Sequence, residues 1–412
     1  MFKIWRITQY KNMEYVKGTP YFCKTAQEIK QYPYLSDNCS CDILIIGGGI
    51  DGAIANYYLS QKYKVVLVDK SRFGMGCTSC ATALLEYQLD EFAEDLSKYL
   101  SDEEIVSVYK MGIKSIDKIE NFIKKYGNEC DFSRRPTFLY TAKAGNKNKI
   151  EKEYVFRRDN GFDCELITKY NNPFSFCVEC GIYSNKGGCE FNPYLFTKQM
   201  IENSVNQSTL YENTNISNLI KTEGGYIAIT NYSKEIFCKK VLIATGFNWE
   251  ILNKDDLCER FITYTIVTKP IKNFVLYNNS LIHDASDPYH YFRLLPDNRI
   301  IFGGEDISFK MKPINQKKSN KIYDALEISL KELFPELNSQ IKVDSRFCGA
   351  FGTTANNLGL IGESRIDKDI LLFISCGANG IINAFEGVKI IEDIIEGRDN
   401  SFIKLFSPLR DI

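Results

Sequence analysis

Three glycines and one acid carry the plainest chemistry in the chain. Gly47-x-Gly49-x-x-Gly52 follows directly on the apolar run "DILII", and a second apolar run, "KVVLV", ends in Asp69 about twenty residues later. In this spacing the first glycine permits a tight turn. The second lets backbone approach a pyrophosphate, and the third lets a helix pack on the strand. The helix start then turns unpaired N–H groups and the positive end of its dipole toward the anion. An acid closing the second strand accepts ribose hydroxyls and repels a 2′-phosphate. The spacing predicts a strand–turn–helix–strand unit over 42–69, with its helix at 50–61, that holds a dinucleotide. It does not choose between NAD and FAD. Asp51 is out of keeping, because an acid beside a phosphate is unfavourable unless its side chain points to solvent.

The chain has 14 cysteines and only two histidines, His283 and His290. "CVECGIYSNKGGC" offers Cys177, Cys180 and Cys189 as zinc ligands, with Cys164 or Cys130 as a fourth. A structural zinc site usually shows two close pairs and this pattern has one, so no metal is expected. "CTSC" places Cys77 and Cys80 at a redox-like spacing. With nothing to suggest secretion, most thiols are expected reduced, many of them buried as small hydrophobes.

The elements around these residues come next. The chain has 412 residues, 44% hydrophobic and 25% charged, which is enough for two cores. A net charge of −1 without a basic stripe argues against a nucleic-acid partner. No apolar run reaches the roughly 18 residues of a membrane span, and the N-terminus lacks a signal-peptide core, so a cytoplasmic protein is expected. Residues 1–40 read as a polar and aromatic lead-in that wraps the surface. Residues 89–127 read as helical with Gly127 as C-cap, 319–334 as a helix, and "GIINAFEGVKIIEDIIEG" as a helix ending near Gly397. Strand-like runs such as "FLYTA", "FITYTIVTKP" and "NRIIFGGE" return in separated blocks, which predicts two interleaved domains.

Three further segments decide the cofactor. "KKVLIATGFN" (239–248), "CGANGIINAFEGVKII" near the C-terminus and "SRFGMGCTSCATALL" after Asp69 resemble the FAD-dependent glycine/D-amino-acid oxidase (DAO-type, sarcosine-oxidase-like) superfamily, over about 41–397. The stretch "TSCATALLEYQLD" (78–90) is similar to a subgroup loop beside the flavin ring. The resemblance implies an α/β fold, in which a Rossmann-like, two-dinucleotide-type FAD domain is interleaved with an α+β substrate domain on a large mixed sheet. The expected segments are 41–125, 187–253 and 343–405 for FAD, and 126–186 and 254–342 for substrate. It implies cofactor contacts from Gly47, Gly49, Ile50, Asp51 and Gly52, and from Asp69, Lys70 and Arg72. Gly76, Cys77, Thr78, Ala81, Thr82 and Ala83 would follow along the loop, which sets Cys77 and Cys80 by backbone contact and weakens a redox reading. Ile216, Ala244, Thr245 and Gly246 complete the adenosine side, and Gly349, Gly377, Asn379, Gly380 and Ile381 the flavin side. A helix start at the last of these would stabilise negative charge on reduced flavin. Some relatives attach flavin through a cysteine at the position of Gly349; Cys348 is one place away, so FAD is expected to be non-covalent.

The resemblance also implies oxidation of a C–N bond in a small-molecule amine or amino acid, with oxygen or another electron acceptor. Tyr291 and Arg293 alternate with Phe292 and are expected on one face, His290 on the other. Arg293 is either a fork for a substrate carboxylate or a rim ion pair. Tyr264 lies either over the ring or in ordinary core. Glu86 stands where sarcosine-oxidase-like relatives carry a basic residue that binds the substrate carboxylate; it reaches the cavity and suits a cationic amine, or it makes a surface or pyrrole-loop contact. "CGAFGTTANNLGLIG" (348–362) departs from the family pattern at Asn356, Asn357 and Gly359, which loosens the substrate carry-over. Oxidation of a hydroxy acid, and a non-catalytic flavoprotein subunit or electron carrier, are the alternatives.

Overall fold

The computed structural model describes residues 4–6, 15–26, 30–204, 208–246, 258–310, 312–377 and 379–410. The run "DILII" lies in strand Cys39–Ile46, whose parallel neighbours are Val65–Val68 on one side and Glu235–Ile243 on the other. Ser208–Tyr211 extends the parallel set beyond Val65–Val68, and Ile370–Ile374 lies beside Val241–Ile243. Such strands are apolar on both faces because both are covered. Leu44, Ile45, Val65 and Leu67 are fully buried accordingly. Helices Ile50–Leu59, Pro193–Glu202, Asp102–Tyr126 and Gly380–Glu396 pack together over one face in a single core. The antiparallel strands Ile216–Thr222, Gly225–Thr230 and Leu360–Glu363 complete the sheet.

A second, mostly antiparallel sheet has a different build. Among the described residues it runs Val16–Gly18, Val343–Thr353, Glu259–Thr268, Ile300–Ser308, His290–Leu294, Leu281–Asp284, Ser133–Thr141, Cys180–Glu190 and Leu84–Glu86, with Glu165–Thr168 also on Cys180–Glu190. The pair Leu281–Asp284 and Ser133–Thr141 is parallel, which makes the sheet mixed as expected. Helix Gln316–Leu333 covers one face through Tyr323, Leu326 and Leu330.

Several expectations shift. The lead-in does more than wrap the surface: Ile4–Arg6 pairs with Ile216–Thr222 and Val16–Gly18 with Val343–Thr353, so it protects an edge of each sheet. The expected helix 89–127 is two helices, Ala93–Leu96 and Asp102–Tyr126. Ser101 starts the second with a capping box: its hydroxyl accepts from Glu104 N while Glu104 accepts from Ser101 N. The helix expected at 319–334 starts earlier, at Gln316, because the Asn315 side chain caps it. The C-terminal helix stops at Gly397, whose φ of +66° is left-handed.

The expected domain boundaries are redrawn by sheet membership. The cut at 186/187 falls inside strand Cys180–Glu190, and Leu84–Glu86 and Val343–Thr353, assigned to the FAD segments, lie in the second sheet. The cut at 253/254 lies outside the described residues. No helix among the described residues is long and apolar enough to cross a membrane.

Candidate functional site

The parallel strands end together, and the expected dinucleotide residues follow those ends. Gly47 follows Ile46, Asp69 follows Val68, Ala244 follows Ile243, and Ser375 follows Ile374. In an open α/β sheet this carboxyl edge is where ligands bind. Gly47 (φ +109°) donates to Val68 O at 2.8 Å, and Ala244 donates to Ile46 O at 2.9 Å. A methyl group on Gly52 would sit 1.8 Å from Gly47 O, so only glycine lets helix Ile50–Leu59 lie this close. At Gly49 a Cβ would meet only Thr78 Oγ1, at 3.2 Å, which leaves the middle of the turn open. That hydroxyl accepts from Ile50 N at 3.0 Å.

Asp69 organises the turn. Its Oδ2 accepts from Gly48 N at 2.7 Å, and its Oδ1 accepts from Ser71 N at 2.8 Å and Ser71 Oγ at 3.0 Å. A carboxylate offers about four lone-pair sites, and these three contacts leave it room to accept further. Two buried groups nearby have no partner among the described residues: Arg72 Nε and Thr245 Oγ1. Gly246 is left-handed at φ +60°, and no atom of the described residues lies where its side chain would be. Lys70 is exposed over the Tyr15 ring, and the Ile216 side chain is core.

Asp51 does not point to solvent, contrary to expectation. It is buried and accepts from Ser375 N at 3.1 Å and from Ser375 Oγ, tying the first helix to the end of strand Ile370–Ile374. Burial pushes its carboxyl up to about 6, against the hydrogen bonds from Ser375.

Helix Gly380–Glu396 starts without a side-chain cap. Asn379 uses its amide elsewhere: Oδ1 accepts from Glu86 N at 3.3 Å and Nδ2 donates to Gln88 O at 2.7 Å. The helix start therefore faces the Thr82–Gln88 segment with no side-chain cap from Asn379, although Gly380 N donates to Gly377 O at 3.2 Å. Gly377 (φ +88°) donates to Gly352 O at 2.8 Å and lies against Asn357, whose Oδ1 accepts from Thr353 Oγ1 at 2.8 Å. Asn356 Oδ1 accepts from Leu358 N at 3.2 Å and Arg410 Nη2 at 3.2 Å, so the unusual loop is clamped by the C-terminal segment. Ala83 is left-handed at φ +51°.

On the second sheet, Tyr291 and Arg293 share a face as expected, and His290 stacks on Phe302 on the other. The Tyr291 ring lies over Gly303, where a Cβ would come within 2.5 Å of it, and its hydroxyl is 3.0 Å from Thr263 Oγ1. Burial raises the Tyr291 phenol, so it stays protonated. Arg293 corrects the expectation of a free carboxylate fork. It is 2% exposed and donates to Glu190 Oε2 at 2.9 Å, Phe191 O at 3.0 Å and Thr82 O at 3.0 Å. It positions the loop at Thr82. Tyr264 is also corrected: alternation turns it under the sheet, where it accepts from Ser319 Oγ at 3.4 Å and meets the Tyr323 ring at 5.4 Å.

Glu86 is no surface contact. It is 2% exposed; Oε2 accepts from Gln88 Nε2 and lies 3.6 Å from His283 Nδ1, while Oε1 has no partner among the described residues. His283 was given no role by the sequence, and neither were Gln88, Asp306, Thr263 and Glu190. Burial alone would lower the His283 pKa, but Glu86, Asp90 and Asp284 outweigh it and the net shift is upward.

The cysteines occupy separate places. Cys180 and Cys189 stand near opposite ends of one strand, about 30 Å apart at ordinary rise, too far to share an ion. Cys77 and Cys80 lie in a short helical turn, and burial pushes the Cys77 thiol up to about 12 and Cys80 well above its ordinary value. Neither is an activated thiol. Cys348 pairs across from Tyr264 and faces the core with it, whereas Gly349 pairs across from Thr263 on the Tyr291 side.

A family model described as DAO, FAD dependent oxidoreductase, matches residues 42–393. Over 206 residues, 49% of this chain, the sequence is 25% identical to a protein of Bacillus subtilis described as a Rieske 2Fe-2S iron-sulfur protein; the chain spans only 40% of that relative. It is 20% identical over 396 residues to gamma-glutamylputrescine oxidoreductase of Escherichia coli, covering 93% of this chain and 90% of that one. The fold is similar to that of glycine oxidase from Geobacillus kaustophilus, with a TM-score of 0.76, 17% identity and coverage of 90% of this chain and 99% of that one. The open glycine turn, the unpartnered Arg72 Nε and Thr245 Oγ1 and the uncapped helix start fit a flavin dinucleotide.

Two outcomes follow from this geometry. Because Asp51 is raised from 3.8 to about 6 in the folded chain, its contribution to stability is present below about pH 4 and lost as pH rises through about 6. Asp51→Asn should therefore gain stability relative to the wild type between those values and hold a constant difference above them, in urea midpoints taken against pH. Arg293→Met should lower stability by about 3–5 kcal/mol, the cost of breaking a buried pair. An unchanged unfolding midpoint would show that Glu190 and Thr82 O do not need the guanidinium.

Proposed function

The chain belongs to the DAO family of FAD-dependent oxidoreductases, with FAD as its cofactor, and from that premise we propose that it oxidises a C–N bond of a small amine or amino acid. The observation that supports the reading is the gathering of the Gly47–Gly52 turn, Asp69, Thr245 and the start of helix Gly380–Glu396 on one sheet edge, joined through the Thr82–Gln88 segment to Arg293 on the Tyr291 face of the second sheet. Bound FAD supplies the acceptor for a hydride from the carbon that bears nitrogen, leaving an imine that water hydrolyses.

Gly47, Gly49, Ile50 and Gly52 would admit the pyrophosphate, with Arg72 as a buried donor beside it. Asp69 would take a ribose hydroxyl. Gly377, Asn379, Gly380 and Ile381 would bring the positive helix end to the pyrimidine edge, where negative charge develops. Thr82 and Ala83, held by Arg293, would lie beside the ring, with Gly76–Thr78, Ala81 and Gly349 along it. Attachment would be non-covalent, because Gly349 offers no nucleophile and the Cys348 thiol faces the core. Tyr291, protonated and fixed by Thr263, would orient substrate and not remove a proton. In this reading the nitrogen reacts as the neutral amine.

Asp69→Ala should weaken FAD binding by roughly 1–3 kcal/mol, since charge-assisted hydrogen bonds to ribose and to the turn are both lost; titration of FAD-free protein, followed by flavin fluorescence, measures it. For the reaction, anaerobic addition of amines or amino acids should bleach the visible flavin band, and 2-hydroxy acids should not. Bleaching by hydroxy acids alone would replace the reading with alcohol oxidation. A flavin that dithionite reduces but neither class does would mark an electron-carrying or partner subunit.

A further inference from the structure

The substrate-side cluster is short of hydrogen-bond donors. Glu86 Oε1 and Gln88 Oε1 belong to side chains 2% and 4% exposed, and neither oxygen has a donor among the described residues. Gln88 spends its Nε2 on Glu86 Oε2. Across the cluster, Asp306 Oδ2 accepts from Tyr289 OH at 2.5 Å and Thr263 also acts on the carboxyl, while its buried Oδ1 has no donor within hydrogen-bonding geometry among the described residues. A buried acceptor left without a donor is costly, so sites of this kind are completed by what they bind. Aromatic rings stand between the two carboxyl groups: Tyr289 and Tyr291 at 6.0 Å, His283 and Tyr291 at 5.7 Å, His283 and Tyr289 at 6.1 Å. The negative faces of tyrosine rings attract organic cations. Arg293, the cation expected to receive a carboxylate, is spent on Glu190, Phe191 and Thr82.

From these acceptors we propose that the substrate carries a second, non-reacting cationic group, an ammonium or guanidinium, received by Glu86 and Gln88 with Asp306 and the tyrosine rings, in place of the carboxylate of a simple amino acid. This rests on the amine-oxidising reading above and names its substrate class. An ammonium brings three donors and a guanidinium five, which suits the open oxygens, whereas a carboxylate brings none.

His283 makes the site responsive to pH. Its Nδ1 lies 3.6 Å from Glu86 Oε2, with Asp90, Asp284 and Asp306 also acting on it and protonated Tyr289 and Tyr291 packed beside it. Protonated His283 occupies the Glu86 charge and repels an incoming cation. Its ordinary pKa of 6.5 is shifted up, so release of that proton, and stronger cation binding, come as pH rises through the shifted value. Deprotonation of Asp306, raised chiefly by burial, acts in the same direction.

The test uses the FAD-loaded protein and matched four-carbon compounds: 1,4-diaminobutane, n-butylamine and 4-aminobutanoate. Anaerobic flavin reduction should favour the diamine over butylamine by about tenfold or more in kcat/KM, the scale of one charged hydrogen bond, with the aminocarboxylate poorest. Glu86→Gln should bring the diamine close to butylamine. A second arm needs no turnover: n-butylguanidinium, whose charge does not titrate, should perturb the flavin spectrum where butanoate does not, more tightly as pH rises and about tenfold more weakly in Glu86→Gln. Amines that reduce the flavin with no preference for the diamine, or a preference for the aminocarboxylate, overturn this proposal and leave amine oxidation standing. Cation binding with no reduction by any amine leaves the cation site standing but overturns the amine-oxidising reading, and with it the substrate class named here. Binding of butanoate in preference to butylguanidinium overturns the cation site outright.

Discussion

The close approach of backbone at Gly47 and Gly52 is the constraint from which the site follows. With Gly52 against Gly47 O, helix Ile50–Leu59 must start directly over the end of the central strand. The turn is then near enough to Asp69 for Gly48 N to donate to its carboxylate, and near enough to Ala244 for a Cβ on Gly47 to come within 2.4 Å of Ala244 O. Asp51, carried on the same first helical turn, reaches Ser375 and fixes where the chain leaves strand Ile370–Ile374. Four chain segments are placed by a contact that tolerates no side chain.

The other half of the site is placed by a buried ion pair. Glu190 accepts from Arg135 at 2.7 Å and from Arg293 at 2.9 Å, and Arg293 in turn holds Thr82 O. Desolvating such charges is expensive, and apolar residues of similar volume often match or exceed a buried pair in stability. What the pair does that packing would not is direct hydrogen bonds at named atoms. The Thr82 carbonyl is held on the second sheet, while Glu86 N and Gln88 O, a few residues on, are held by Asn379 from the first helical layer. The Thr82–Gln88 segment is thereby the seam between the two sheets.

What the sequence made legible was local. The glycine spacing, Asp69, the Ala244–Gly246 turn and the Gly377–Ile381 helix start are backbone demands written within a few residues, and all fall on one sheet edge. The break before Asp102 was legible too, in Ser101 and Glu104, but was masked by apolar spacing that continued across it. Facing and partnership were not legible. Tyr264 turns inward because helix Gln316–Leu333 covers that face, and no residue near Tyr264 announces the helix. Arg293 finds Glu190 at a separation of 103 residues, a pairing no periodicity encodes. The same limit hid His283, which meets Glu86 only once Leu281–Asp284 and Leu84–Glu86 lie in one sheet.

Among the unsatisfied buried groups of the described residues, two sets lie at the site. At the dinucleotide edge the turn is open, the first helix presents its positive end, and a buried guanidinium N–H, Arg72 Nε, has no acceptor among the described residues. Under the second sheet's tyrosines the unpaired atoms are oxygens: Glu86 Oε1, Gln88 Oε1 and Asp306 Oδ1. A folded chain ordinarily pairs its buried polar atoms, so an unpaired donor in one place and three unpaired acceptors in another point to the missing complement. The first complement is an anion, as the pyrophosphate of FAD is. The second is a donor-rich cation. The fold holds the two apart with the Thr82–Gln88 segment between them, and Arg293 neutralises Glu190 at that seam without lending its charge to either end.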